Sequence, residues 1–289
     1  MLEFILFADD TTILYSNTDI PKQIQQINIE LSEVNNWFKA NKLSVNASKT
    51  NYMIMGTPKM TSLGHGNSQL NLNIILDDTE LERVNKTKFL GVIIDENLTW
   101  KNHIDGITKT ISRNIGMLNK LKFFFMPERI LYTLFCSLIL PYINYGILIW
   151  GKACKTHLEK IHKLQKWAVR IISNSHYRSH SGPLFLKYNL LNVYKNYELE
   201  AGVFMYNYFK KLLPQSFNDF FTKPSEVHNY HTRNRDNYYH TRNKKVFSDK
   251  TIRTTGPILW NSLQDEIKNA NSTKHFRKIF KLSLLNSQM

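Results

Sequence analysis

The sequence predicts an α+β fold in which short strands come first and helices follow. Short apolar runs separated by turn residues occupy much of positions 1–99. Beyond position 100, apolar residues recur every three or four positions, which is helical spacing. The chain has 289 residues, 42% of them hydrophobic, which is enough for a substantial buried core. We therefore expect a strand-bearing region followed by a helical region.

The first third begins with a predicted β-hairpin and a long helix. The apolar runs Leu2–Leu6 and Ile13–Tyr15 flank an Asp9-Asp10 pair, which predicts a small antiparallel sheet with the acidic pair at its tip. Apolar residues between positions 20 and 37 then follow helical spacing, so an amphipathic helix is expected there. Further strands are predicted at Tyr52–Met55, Leu70–Leu76 and Phe89–Ile94.

The remainder of the chain is predicted to be helical. The expected segments are Ile104–Leu121, two buried helices that begin near Pro127 and meet at Pro141, Lys155–Ile172, a helix ending before Pro214, and Thr273–Leu285. The stretch 130–151 has no charged residue and is long enough to cross a bilayer. Pro141 interrupts it and the mean hydropathy of the chain is −0.36, so we favour buried helices over a membrane span.

The charge of the chain is strongly asymmetric. The net charge is +15, but residues 1–100 carry 8 Lys/Arg against 12 Asp/Glu and residues 101–289 carry 30 against 11. This distribution predicts a polyanionic partner for the second part of the chain, and a solvated basic surface is the alternative. Two cysteines and no readable signal peptide predict a protein that is intracellular and not secreted.

One short repeat lies in the basic part. Tyr230–Asn234 recurs as Tyr239–Asn243, and each copy reads Tyr-His-Thr-Arg-Asn. Aromatic, histidine and arginine side chains together suit a nucleic-acid backbone, so Arg233 and Arg242 are candidate phosphate ligands. A polar loop duplicated by chance is an equally good interpretation.

The Asp9-Asp10 pair is the first candidate site for chemistry. Adjacent carboxylates repel each other in a low dielectric, and a hard divalent cation relieves that repulsion. Aspartates are also common in turns for local hydrogen bonding, so the pair alone does not establish a metal site.

The order of several motifs carries a family resemblance. The motifs are Phe7–Thr11, Leu43–Thr50, Phe89–Asp95, Pro141–Gly146 with Trp150-Gly151, and Leu164–Lys166. Together they resemble the palm and thumb of reverse transcriptases from non-LTR (LINE-type) retrotransposons. The run Gly256–Asn261 and the last helix resemble the tail of jockey-like elements more loosely.

The resemblance implies RNA-directed DNA polymerisation by a two-metal mechanism. Asp9 and Asp10 would bind Mg²⁺, or Mn²⁺, and Lys49 would protonate the pyrophosphate leaving group. A plain surface lysine is the alternative for Lys49. Phe89 and Gly91 would belong to the β element that supports the primer terminus.

The implied partners are an RNA template, a DNA primer and deoxynucleoside triphosphates. The candidate phosphate contacts on the helices are Lys101, Lys109, Arg113, Lys120, Lys163, Lys166 and Arg170. The implied domains are a partial palm at 1–99, a helical thumb at 100–213 and a basic tail region at 214–289.

The family places a third metal-binding aspartate and the fingers upstream of the hairpin. We therefore expect a truncated reverse-transcriptase palm, with the reaction of the family absent or very weak in this chain. The alternative is a non-catalytic module that binds RNA or an RNA–DNA duplex.

Overall fold

The structure is a computed structural model that describes residues 2–16, 20–56, 73–223, 237–239 and 250–287. The chain divides into two compact units, Met1–Leu98 and Thr99–Met289. The described residues combine helices with small, mostly antiparallel sheets, which is compatible with the predicted α+β class. The assignment of palm, thumb and tail stays a prediction.

The described residues of the first unit form one long helix and four two-stranded sheets. Its elements are β1 (Glu3–Phe7), β2 (Asp10–Leu14), α1 (Ile20–Ala40), β3 (Asn51–Tyr52), β4 (Ile75–Leu76), β5 (Thr79–Glu80), β6 (Glu82–Arg83), β7 (Lys86–Phe89) and β8 (Val92–Asp95). The pairs β1–β2, β4–β5 and β7–β8 are antiparallel, and β3–β6 is parallel. Ile24 and Leu31 of α1 pack with Ile74, Leu76 and Leu81 to form a small core.

The prediction of one continuous strand over Phe89–Ile94 was wrong. Two strands, β7 and β8, fill this region, and the chain reverses at Leu90-Gly91 between them. Leu90 has a φ of 44° and Gly91 has a φ of 82°, so both residues adopt the left-handed conformation of a tight hairpin turn. A glycine inside an apolar run was the sequence signal for this turn.

The described residues of the second unit form helices joined by loops and turns. Its helices are α2 (Lys101–Phe123), α3 (Glu128–Leu138), α4 (Leu140–Asn144), α5 (Ile147–Trp150), α6 (Lys155–Ile172), α7 (Gly182–Lys187), α8 (Val193–Phe209), α9 (Ile252–Ser262), α10 (Asp265–Lys268) and α11 (Thr273–Asn286). The expected helices at 104–121, 155–172 and 273–285 therefore form, each within a few residues of its predicted limits.

Two apolar clusters hold this unit together. The larger one is formed mainly by α2, α3 and α6, and its residues Ile111, Phe135 and Ile161 are fully buried. The smaller one joins α8, α9 and α11, where the rings of Tyr206 and Phe276 stack with centroids 4.7 Å apart. The basic side chains of these helices lie off the buried stripes, as the amphipathic pattern predicted.

The two helices predicted to meet at Pro141 do so within a few residues, but the second one is shorter than expected because a further break follows. The first helix, α3, ends at Leu138, and Pro141 lies in the first turn of α4, where a missing backbone N–H costs nothing. A second break follows at Gly146, which has a φ of 62°. Among the described residues, no helix combines the length and apolar character that a bilayer crossing requires.

Gln165 lies in the core of this unit and is 1% exposed. Its side-chain oxygen accepts from the backbone N–H of Val193 at 2.8 Å, and its amide donates to the Leu191 carbonyl at 3.4 Å. These bonds satisfy backbone groups where α8 begins. Gln165→Met keeps the volume but leaves the Val193 N–H unpaired, so we expect the free energy of unfolding to fall by about 2 kcal/mol.

Urea unfolding followed by circular dichroism measures this loss, and Gln215→Ala, at an exposed position, is the control. Equal stability of Gln165→Met and the parent chain would refute the role given to Gln165.

Candidate functional site

Asp9 and Asp10 lie at the tip of the β1–β2 hairpin. Phe7 pairs with Asp10 across the hairpin, which leaves Ala8 and Asp9 as the two loop residues. Ala8 has a φ of 52°, as the first residue of such a tight turn requires. Both carboxylates are exposed, so the predicted position of the pair at the hairpin tip is what the structure has.

The strands that carry this pair expose large apolar side chains. Phe4 is 50% exposed, Leu6 71% and Phe7 60%. Two hydrogen bonds join the ends of the hairpin to α1. The Leu2 N–H donates to the Glu30 carboxylate at 3.1 Å, and the Gln23 side-chain amide donates to the Tyr15 carbonyl at 3.0 Å. The acidic pair is therefore presented on an open apolar hairpin.

The two side chains at the hairpin tip are of a type that binds Mg²⁺, but they are fewer than a two-metal centre needs. Carboxylate oxygens are the protein ligands that Mg²⁺ prefers. Within the described ranges, however, no three His, Cys, Asp or Glu side chains come together in a way that could hold a metal ion. Asp9 and Asp10 therefore do not form a complete two-metal centre, and metal binding by them stays a prediction.

Lys49 ends a short 3₁₀ turn, Ala47–Lys49. The Asn46 carbonyl accepts from the Lys49 N–H at 3.1 Å, and the Ser48 hydroxyl donates to the Asn46 side chain at 2.7 Å. The Lys49 side chain is exposed, and no ion pair joins it to the Asp9-Asp10 pair in the part of the chain that is described. A role for Lys49 as a proton donor stays a prediction.

Phe89 and Gly91 flank the turn of the β7–β8 hairpin. Phe89 is half-buried and pairs with Val92, while Gly91 is exposed at the turn itself. This places Phe89 at the end of β7 and Gly91 in the turn of the hairpin. Their role in supporting a primer terminus stays a prediction.

Four basic residues lie along one face of α2. At 100° per residue, Lys101, Lys109, Arg113 and Lys120 fall within an arc of about 120°, and they span about 28 Å of the helix axis. All four side chains are exposed. We call these four residues the basic face of α2.

The polar neighbours of this face strengthen its suitability for anions. Thr108 and Ser112 line a shallow surface depression together with Lys109 and Arg113. The Thr108 hydroxyl is buried and has no hydrogen-bond partner within the described residues. The acidic residue of α2, Asp105, is paired with Lys160 of α6 at 2.6 Å. The face therefore offers cations and the exposed Ser112 hydroxyl, and its nearby carboxylate is already paired.

The candidates on α6 differ from one another. Lys163 is exposed, whereas Lys166 lies 3.7 Å from the Glu159 carboxylate. The Arg170 guanidinium donates to the carbonyl of Ser179 at 2.8 Å and to that of Lys166 at 3.3 Å, so it also holds the chain that follows α6. Arg233 and Arg242, with nearly all of the repeat, lie outside the described residues.

Two features were missed by the sequence reasoning. One is the buried environment of His162, where desolvation lowers the pKa of the imidazole and Lys166 lowers it further. Nearby, Tyr194 donates to Glu159 at 3.1 Å, and burial with this bond raises the pKa of Tyr194 to about 12. No spacing in the sequence indicated this cluster.

The other missed feature is the segment Phe123–Phe125, which begins at the last residue of α2 and has its three rings mostly in solvent. Its sequence signal was plain in retrospect, since three consecutive phenylalanines follow the last lysine of a charged helix.

Comparison with known proteins gives three informative relatives. The probable RNA-directed DNA polymerase from transposon X-element of Drosophila melanogaster is 24% identical over 174 residues, 58% of this chain and 18% of that protein. The probable RNA-directed DNA polymerase from transposon BS of the same species is 28% identical over 189 residues, 65% of this chain and 20% of that protein. The RNA-directed DNA polymerase from mobile element jockey of Drosophila funebris is 25% identical over 175 residues, 58% of this chain and 18% of that protein.

No protein-family model matches the chain, and no solved structure matches it significantly. The chain spans about a fifth of the length of the curated relatives. The resemblance read from the motifs is nevertheless confirmed at the level of the family. The chain is a relative of the RNA-directed DNA polymerases of non-LTR retrotransposons.

Proposed function

We propose that this chain is a portion of an RNA-directed DNA polymerase and that its helical unit holds the template–primer duplex. The observation that carries the proposal is the basic face of α2, where four exposed cations are aligned over about 28 Å. Such a row of cations fits the regularly spaced phosphates of a nucleic-acid backbone. The relatives support the identity of the ligand, since each is named an RNA-directed DNA polymerase.

The charge of the second unit supports the same proposal. Its sequence carries 30 Lys/Arg against 11 Asp/Glu, whereas the first unit has a net negative charge. Contacts of this kind go to phosphates and do not read the base sequence. We therefore expect binding to depend strongly on salt and little on nucleotide sequence.

For the chemistry, we propose that Asp9 and Asp10 are two of the metal ligands of the polymerase and that Lys49 is a proton donor near them. When bound, Mg²⁺ or Mn²⁺ would neutralise charge on the phosphates of an incoming deoxynucleoside triphosphate. Because these two exposed carboxylates are a partial donor set, we propose that this chain alone has little or no polymerase activity. A partial palm at 1–99, a thumb at 100–213 and a basic tail region at 214–289 belong to the same proposal, as does an intracellular site of action.

Binding to a labelled RNA–DNA template–primer tests the proposal. We expect log Kobs to fall linearly with the logarithm of the salt concentration. For duplex DNA the slope of this line is about −0.9 for each phosphate contact. Fluorescence anisotropy at KCl concentrations from about 50 to about 300 mM, a range that includes physiological ionic strength, measures the slope. An affinity that does not change with salt would contradict a phosphate-binding function.

Primer extension distinguishes a surviving enzyme from a binding module. With Mg²⁺ and deoxynucleoside triphosphates, we expect no extension above background, because the metal ligands are too few. Asp9→Ala is the matched variant. Extension by the parent chain that Asp9→Ala abolishes would show that the active centre is complete and that the inactive-fragment proposal is wrong.

A further inference from the structure

We propose that Phe123–Phe125, the triple-Phe segment, is a stacking site for unpaired nucleic-acid bases beside the basic face of α2. The segment joins α2 to α3, and its rings are 75%, 74% and 94% exposed. An aromatic ring that is buried on folding contributes a large hydrophobic free energy. Three neighbouring rings left in water therefore contribute little to the stability of the folded chain. The inference rests on the proposed nucleic-acid function and adds a site to it.

The backbone of the segment shows that its last ring is held at a cost. The Phe125 N–H donates to the Lys122 carbonyl at 3.0 Å and closes the helix end. Phe125 itself has a φ of 54°, a left-handed conformation that glycine usually occupies at this position. A bulky side chain is disfavoured there and gains almost no burial in return. This combination is expected where a side chain is kept for a ligand.

The side chains around the segment are mainly basic, so a suitable ligand carries negative charge as well as flat surfaces that stack on the rings. Lys120 belongs to the basic face and Lys122 follows it in the last turn of α2, while Arg129 lies in the first turn of α3. The nearby acidic residue, Glu128, is paired with Lys187 at 2.8 Å. Bases stack on aromatic rings while their phosphates meet the cations, so single-stranded nucleic acid satisfies both features.

The decisive variant is Phe125→Gly, because it separates function from stability. Glycine adopts the left-handed conformation without strain, so we expect the melting temperature to stay the same or to rise. If Phe125 stacks on a base, affinity for a 12-nucleotide single-stranded RNA falls about tenfold, while the salt slope is unchanged. A residue with only a structural role would not give an equal or higher melting temperature together with weaker binding.

An abasic strand of the same length is the matched probe, and Leu282→Ala is the matched variant, since Leu282 is exposed on α11. We expect the abasic strand to bind the parent chain and Phe125→Gly equally, and Leu282→Ala to bind RNA as the parent does. Salt-dependent binding of RNA that Phe125→Gly leaves intact would overturn the stacking site and leave the proposed function standing. No RNA binding by the parent chain would overturn both.

A membrane surface is the other partner with flat apolar and anionic character. Sedimentation with vesicles of phosphatidylcholine and phosphatidylserine, in a ratio of about 4:1, tests it. Vesicle binding that Phe125→Gly abolishes, with RNA affinity unchanged, would assign the triple-Phe segment to a lipid surface and refute the stacking site.

Discussion

Replacing Trp150 by alanine is expected to lower the free energy of unfolding of the second unit by about 4 kcal/mol. Trp150 ends α5 and is completely buried in the larger apolar cluster. Its indole N–H donates to the Tyr145 carbonyl at 2.9 Å, and the centroids of the His103 and Trp150 rings are 5.7 Å apart. Alanine therefore leaves a large cavity and removes this hydrogen bond at a junction between short helices.

The matched control is Trp167→Ala, since Trp167 lies on α6 and is 41% exposed. We expect this variant to cost less than about 1 kcal/mol, because surface substitutions change stability little. Urea unfolding followed by circular dichroism at about 222 nm gives both values, with the slope against urea unchanged. Equal losses in the two variants would show that Trp150 is not a core residue.

Removing two charges from the basic face of α2 is expected to have the largest effect on nucleic-acid binding. In the double variant Lys109→Gln, Arg113→Gln, two phosphate contacts are lost, which lowers the salt slope by about 1.8 and the affinity at 0.1 M salt by about 50-fold. Lys109 and Arg113 lie one turn apart and line the same depression as Thr108 and Ser112. Anisotropy titrations with the template–primer duplex at several salt concentrations measure both quantities.

Lys274→Gln, Lys278→Gln is the matched double variant, because it removes two exposed charges one turn apart on α11. If binding depended on total charge alone, both double variants would weaken it equally. Such a result would contradict a specific role for α2. A smaller effect of the α11 variant would support the basic face of α2 as the docking surface.

Much of the fold could be predicted from local sequence, because periodicity is a local property of the chain. The helix α1, the helix α6 and the Asp9-Asp10 hairpin follow from apolar spacing and turn residues within a few positions. The two departures from the prediction, at Leu90-Gly91 and at Gly146, fall where the backbone turns inside an apolar run. Apolarity shows that such a run is buried, but not where it turns.

The functional residues were only partly predictable for a related reason. Motif order identified the polymerase family and the Asp9-Asp10 pair, and the relatives confirm the family. The candidate cations were visible as residue types, but residue type does not show which of them are engaged within the protein. Lys166 lies 3.7 Å from the Glu159 carboxylate, and Arg170 donates to the Ser179 carbonyl.

The sequence by itself therefore determined the helical periodicity of the second unit, the charge asymmetry and the resemblance to RNA-directed DNA polymerases. Tertiary structure alone decided that Gln165 is a buried hydrogen-bonding residue, that Arg170 is engaged within the protein, and that Phe125 stands in solvent. The physical reason is that residue type and spacing act locally, whereas burial, ion pairing and exposure depend on which helices pack together.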